Sequence, residues 1–255
     1  MLEDKIREYK ETGKMKKTTP AQYKKEYPWL KEVDSLALAN VQLNLERAYR
    51  SFFSNPKIGF PRFKSCKRSR QSYTTNAVNG NIRLAEGKLK RPKLSGIKIR
   101  QHREIPEGFV LKSVTVSCEP SGKYYASLLY EYTSSENQTG SGKNAEKVLG
   151  IDFAMDGLAV FSDGTRAGYP NYYRKSVQKL SREQRKLSHC EKGSSNYRKQ
   201  KRRVALCHEK IRNQRKDFHH KLSFRLSKQY DAVVVEDLDM KAMSRGLHLG
   251  KGIMD

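Results

Sequence analysis

Two carboxylates stand inside apolar runs. Asp152 lies in Val148-Leu149-Gly150-Ile151-Asp152-Phe153-Ala154, and Glu236 closes Ala232-Val233-Val234-Val235. Short, β-branched apolar runs of this kind predict buried strands. A carboxylate in such a place costs on the order of several kcal/mol unless it is paired, hydrogen-bonded or bound to a cation. Two carboxylates side by side repel, so a hard divalent ion, Mg²⁺ or Mn²⁺, that neutralises both is the expected resolution. Ions held there activate water and stabilise the leaving oxygen of a phosphodiester, which is nuclease chemistry. On the residues alone a blander reading stays open, with Asp152 capping a strand and Glu236 opening a loop.

The elements between the two acids must bring them together. They are separated by 84 residues, room for a hairpin and a helical insert. Leu158-Ala159-Val160-Phe161 predicts a second strand, closed by a turn at Asp163-Gly164. Two antiparallel helices then follow, about Tyr172 to Cys190 and Asn196 to Tyr230, joined at Gly193-Ser194-Ser195. Tyr197, Val204, Ile211 and Phe218 recur every seven residues with Leu222 next, and Val177, Leu180 and Leu187 offer the mating stripe; this is a narrow, coiled-coil-like seam. In a sheet of ribonuclease H type the first strand is central and a later strand runs parallel beside it after a crossover. Asp152 and Glu236 then project from neighbouring strands. Asp237 points to the other side of its strand and is the reserve choice.

The first half of the chain reads differently. Residues 1–30 begin in helix-like sequence. After Asp34-Ser35, residues Leu38, Val41, Leu45, Ala48 and Phe52 form an apolar stripe expected to face a core. Pro56 to Pro61 ends that helix. Six short strands are expected next, over Ser72–Thr75, Ile82–Leu84, Gly87–Leu94, Ile97–Arg100, Val110–Cys118 and Tyr124–Tyr132, folded as a small antiparallel barrel. Phe60, Phe63 and Tyr73 are candidates for stacking on bases, packing inside the barrel being the competing role.

Charge narrows the partner. The formal net charge is +25; residues 57–103 carry +13, residues 172–229 carry +15, and the remainder sums to −3. Two basic blocks on a nearly neutral remainder point to a polyanion, and nucleic acid is the commonest. The candidate contacts are Arg62, Lys64, Lys67, Arg68, Arg70 and Tyr73 in the first block, with Arg182, Arg185, Arg198, Arg202 and Arg203 in the second. Cys66, Cys118, Cys190 and Cys207 form no CxxC pair, which argues against a zinc ribbon or a disulfide framework within this chain. His208 and His219 share a helix face but have no acidic companion, so an ordinary surface role is expected. No apolar run approaches a membrane span and no secretory signal opens the chain, so a soluble cytoplasmic protein is expected.

Gly150-Ile151-Asp152-Phe153-Ala154 with Leu158 to Gly164 resembles the first RuvC motif of the TnpB proteins of bacterial and archaeal insertion sequences. Val233-Val234-Val235-Glu236-Asp237-Leu238-Asp239-Met240-Lys241-Ala242-Met243 is similar to their second. Tyr27 to Ser35 and Phe60-Pro61-Arg62-Phe63-Lys64-Ser65, leading into Arg70 to Tyr73, match as well, so the likeness runs in order through nearly the whole chain. The resemblance implies an RNA-guided DNA endonuclease, kin to type V CRISPR effectors. A noncoding guide RNA and target DNA are its partners, and a RuvC site with Mg²⁺ or Mn²⁺ cuts. Asp152 and Glu236 are then the first and second catalytic and metal-binding acids. Base pairing would carry sequence specificity while the basic channel grips the heteroduplex by its backbone.

The resemblance also implies more than this chain holds. TnpB chains start before the point matching Met1, and they continue past Asp255 into a four-cysteine zinc module and a third RuvC motif with a further Asp. Neither Asp239 nor Asp255 belongs to that motif. The expectation is therefore a chain truncated at both ends, without zinc ligands, with an incomplete metal site and little or no cleavage. The expected fold is α+β and multidomain: a helical recognition-lobe remnant (1–56), an antiparallel wedge-like β domain (57–132), a linker (133–146), and an incomplete RNase H-like RuvC domain (147–255) with a helical hairpin at 172–230. Two other functions stay in view, a non-catalytic RNA/DNA-binding module and, more weakly, a DNA-strand transferase using the same carboxylates.

Overall fold

A computed structural model describes residues 1–14, 18–55, 57–65, 69–133, 146–154, 157–239 and 242. The chain divides into two compact units, Met1–Glu136 and Asn137–Asp255. Among the described residues there are four α-helices and three three-stranded sheets.

In the first unit, helix α1 (Leu2–Thr12) is followed by two short 3₁₀ turns and then by α2 (Ser35–Ser54). Asp34 starts α2: its Oδ1 accepts from the Leu36 amide at 3.0 Å, satisfying a donor that a helix N-terminus leaves unpaired. Its other oxygen accepts from the Thr75 hydroxyl, tying the helix start to β1 (Gln71–Asn76). The buried face of α2 differs from the expected stripe. Ala37 and Tyr49 are buried, whereas Val41 is 57% exposed. The contact with β1, made through Asp34–Thr75 and Asn40–Asn76, turns the Ala37 side of the helix inward.

Six strands form where six were expected, as β1, β2 (Arg83–Ala85), β3 (Lys88–Arg91), β4 (Leu94–Lys98), β5 (Val110–Cys118) and β6 (Tyr124–Glu131), but the expected Gly87–Leu94 strand is broken at Pro92-Lys93 and β4 starts three residues before the expected Ile97. They do not close into a barrel. They make two antiparallel sheets, β1-β5-β6 and β2-β3-β4, which share a core of Ile82, Leu89 and Val114. Each sheet has only three strands, and the contact between them is confined to that small cluster: β4 is exposed along its whole length, with Leu94 49% and Ile97 41% exposed. Glu86 and Gly87 link β2 to β3 with φ of 52° and 67°, the two positive values that the tight hairpin turn requires.

The second unit is built on β7 (Val148–Ala154), β8 (Leu158–Phe161) and β9 (Ala232–Val235) in the order β8-β7-β9. β7 pairs antiparallel with β8 and parallel with β9, the return to the parallel edge being made through α3 (Tyr172–Ser188) and α4 (Ser195–Gln229). Ser194 caps α4, its hydroxyl accepting from the Tyr197 amide at 3.0 Å. The 35 residues of α4 span roughly 52 Å at the standard rise, about twice α3. One stretch of α4 therefore pairs with α3 while its last turns pack on the sheet. Leu226 joins Leu149, Ala159, Phe161 and Ala167 in one core, with Ile151, Leu222 and Tyr230 against it.

The seam between α3 and α4 is partly polar. Leu180 and Ile211 are buried as expected, but so are Glu183, Gln200 and Glu209. Gln200 Nε2 donates to the Glu183 backbone carbonyl at 3.0 Å and to its carboxylate at 2.7 Å.

Candidate two-carboxylate site and basic surfaces

β7 and β9 run in parallel register, Val148 opposite Ala232, Leu149 opposite Val233, Gly150 opposite Val234 and Ile151 opposite Val235. The next residues on the two segments are Asp152 and Glu236. Partners in a parallel ladder present their side chains to the same side of the sheet. Along β7 the faces alternate. Leu149 and Ile151 pack on the α4 core, so Val148, Gly150 and Asp152 belong to the opposite face.

That opposite face is open among the described residues. Val148 is 51% and Val234 61% exposed, and both Asp152 and Glu236 are exposed. The expectation that Asp152 is a buried carboxylate is thus corrected. The α4 helix covers one side of the sheet only, and the acid projects from the other. Neither carboxylate has a hydrogen-bond or ion-pair partner among the described residues. Exposed hard oxygen donors without a competing cation suit Mg²⁺ or Mn²⁺, which keep several waters and take only one or two carboxylates from the protein. Among the described residues no group of three or more His, Cys, Asp or Glu could hold a metal.

The end of the sheet away from the acids, where β7 and β9 begin and β8 finishes, is fixed by side-chain bonds that sequence reasoning did not foresee. Asp163 Oδ1 accepts from the Thr165 amide at 2.8 Å and its hydroxyl at 2.6 Å, and Oδ2 accepts from the Tyr230 hydroxyl at 2.8 Å. These bonds, the Thr165 hydroxyl first, hold the Asp163 carboxyl below its ordinary value, and the bond to Asp163 pushes the Tyr230 phenol above its own. Asp231 Oδ2 accepts from the Lys147 amide at 3.1 Å. The signal was present in the sequence as an Asp-Gly-Thr turn and an Asp just before a strand, both favoured places for side-chain-to-backbone bonds. Ser162 Oγ accepts from the Gly150 amide at 3.0 Å, and a Cβ on Gly150 would stand 3.4 Å from Ser162 Cβ, so the glycine lets the hairpin end lie close to β7.

In the second unit the candidate phosphate contacts all lie exposed on the helical hairpin: Arg182 and Arg185 on α3, and Arg198, Arg202 and Arg203 on α4. Arg198 donates to the Gly193 carbonyl at 3.2 Å and Arg203 to Gln200 Oε1 at 3.5 Å. In the first unit Arg62 and Lys64 are exposed, while Lys67 and Arg68 lie outside the described residues. Arg70 reaches Ser117 Oγ at 3.3 Å and Glu119 at 3.5 Å. The Arg91 guanidinium covers the Tyr73 ring at 5.1 Å, and Phe60 packs edge-on against Tyr49 and Phe52, whereas Phe63 is 83% exposed.

Residues 127–246, which contain both acids and the helical hairpin, match the family model OrfB_IS605, described as "Probable transposase". The chain is 35% identical over 235 residues to a Streptomyces pristinaespiralis protein named "Putative RNA-guided DNA endonuclease", covering 90% of this chain and 56% of that one. It is 36% identical over 220 residues to the Escherichia coli (strain K12) protein named "Putative RNA-guided DNA endonuclease InsQ", covering 86% of this chain and 52% of that one. The chain belongs to the OrfB/TnpB family. This TnpB-family chain spans about half the length of the curated relatives it matches. Among its described residues no helix is long and apolar enough to cross a membrane.

Proposed function

We propose that this chain supplies the first two acids and a nucleic-acid-gripping hairpin of a RuvC-type, RNA-guided DNA endonuclease. Asp152 and Glu236 together bind a divalent metal, Mg²⁺ or Mn²⁺. The observation that carries the reading is the β7–β9 register, whose next residues on the two segments are these two acids. The RNase H-like assignment of the second unit draws support from its strand order, an antiparallel hairpin with a parallel strand added beside β7. The names of the relatives supply the partners, a guide RNA and DNA.

In this reading the metal, when bound, activates water and offsets charge on the phosphodiester. The chain's own task is to hold two carboxylates on one sheet face and to grip phosphates along α3 and α4. Two carboxylates make a weak site, so the chain alone cuts DNA poorly or not at all. A second reading, a non-catalytic nucleic-acid-binding module, is favoured by the exposed arginines of α3 and α4, which can hold phosphates without any metal.

Mn²⁺ binding, guide-RNA binding and Mg²⁺-dependent DNA cleavage, measured on the chain and on Asp152→Ala and Glu236→Ala, separate the readings. The nuclease reading expects either variant to weaken Mn²⁺ by about 10-fold or more while RNA binding holds. Mn²⁺ affinity unchanged in both variants, with no cleavage in any form, leaves the binding module.

A further inference from the structure

β9, the strand that leads into Glu236, has no sequence pattern of its own to fix its position. Register is normally set by alternation of buried and exposed residues, because a slip of one residue turns each side chain to the other face. In β9 the three consecutive valines Val233, Val234 and Val235 are 43%, 61% and 55% exposed, so neither face is marked by burial or by residue type. Nor does a tight turn set the pairing, since β9 is parallel to β7 and reaches it only after the helical crossover. A one-residue slip would put Val235 or Asp237 opposite Asp152. The second of these keeps a carboxylate, so acidity alone does not select Glu236.

We propose that Asp231 is a positioning residue that sets the β7–β9 register and thereby selects Glu236 as the partner of Asp152; this rests on the two-acid reading above. Three bonds join Lys147, just before β7, to Asp231 and Ala232 at the start of β9. The Lys147 amide donates to Asp231 Oδ2 at 3.1 Å, and the amides of Asp231 and Ala232 donate to the Lys147 carbonyl at 2.9 and 3.3 Å. The backbone bonds alone could re-form with a shifted partner, as any ladder bonds do. The side-chain bond is specific to one residue. A slip of one would place Tyr230 or Ala232 where Asp231 stands, and neither has an acceptor of that length. Tyr230 is itself held away, its hydroxyl bonded to Asp163 at 2.8 Å and its ring packed on the core of the unit. The crossover is thus pinned on both sides of the junction, to the end of β8 by Tyr230 and to the start of β7 by Asp231.

Disulfide trapping reads the register directly. With the four native cysteines replaced by Ser, Val148→Cys is combined with Ala232→Cys, its observed partner, or with Val233→Cys, its partner after a slip. In the otherwise native chain the first pair closes and the second does not. Asp231→Ala shifts closure toward the second pair, and Asp231→Asn, which keeps an acceptor for the Lys147 amide, restores the first. Mn²⁺ affinity falls about 10-fold in Asp231→Ala and recovers in Asp231→Asn. Unchanged trapping in Asp231→Ala overturns the inference. A shifted trapping pattern with unaltered Mn²⁺ affinity keeps Asp231 as the register residue and overturns the metal reading. Should Asp231→Ala fail to fold, amide exchange in the unmodified chain decides. The Lys147 amide, which precedes β7, must exchange as slowly as those of the strand, and exchange at the rate of an open segment rejects the role.

Discussion

Gln200 donates through one nitrogen to both the backbone carbonyl and the carboxylate of Glu183, at 3.0 and 2.7 Å, in the partly polar seam between α3 and α4. The bond holds the Glu183 carboxyl below its ordinary value, with Lys186 and Arg182 nearby adding to the effect. Gln200→Leu should therefore do more harm than its apolar character suggests, because it strips a buried acid of its donor. The expected result is a fall in melting temperature of about 2–8 °C, by circular dichroism. Replacing Glu183 and Gln200 together by Leu should recover most of it, and a double-mutant cycle gives the coupling.

Leu226 is the residue through which the last turns of α4 reach the sheet, packed in one cluster with Leu149 and Phe161. Leu226→Ala removes buried methyl groups and leaves a cavity, at a cost of about 2–5 kcal/mol. Chemical denaturation of the chain checks it. A change below about 0.5 kcal/mol would mean that α4 does not seal the sheet.

Much of this organisation was legible beforehand because it is written in periodicity. The seven-residue spacing from Tyr197 to Phe218 gave the helical hairpin to within two residues at each end, and turn residues such as Asn79-Gly80, Glu86-Gly87 and Ser121-Gly122 separated most strands of the first unit, though the β3–β4 turn at Pro92-Lys93 was missed. What was not legible depends on packing partners. The same strand pattern serves a barrel or two open sheets, and only tertiary contacts separate them. The stripe from Leu38 to Phe52 lies on α2, but which side of it is buried was decided by Asp34 and Asn40 meeting β1. For the acids, the sequence placed Asp152 and Glu236 on adjacent strands, yet not on an open face, since an apolar run reads the same whether one side or both are covered.

Acid should unfasten the second unit in a defined window. The Asp163 carboxyl sits below its ordinary value because Thr165 and Tyr230 bond its charged form. A group whose folded value is depressed contributes stability that is fully present above its unfolded value, near 3.8, and is lost as pH falls through the folded value. Unfolding midpoints followed downward from pH 5 should therefore drop below about pH 4. Asp163→Asn should be less stable at pH 6 and show a shallower drop. Parallel curves for the two proteins would remove Asp163 from the account.

The basic hairpin makes the last prediction quantitative. Each phosphate neutralised by Lys or Arg releases condensed counterions, so the logarithm of affinity falls with the logarithm of salt at a slope of about −0.9 per contact on duplex DNA and about −0.7 on single strands. Arg198, Arg202 and Arg203 are exposed within two turns of one helix. Replacing all three by Gln should weaken RNA binding at low salt and flatten the slope by about 2 for a single strand. The loss should be nearly uniform across RNA sequences, because phosphate contacts position a nucleic acid without reading its bases. An unchanged slope would show that the hairpin presents its cations to solvent, and the grip would then have to be sought in the first unit's basic block.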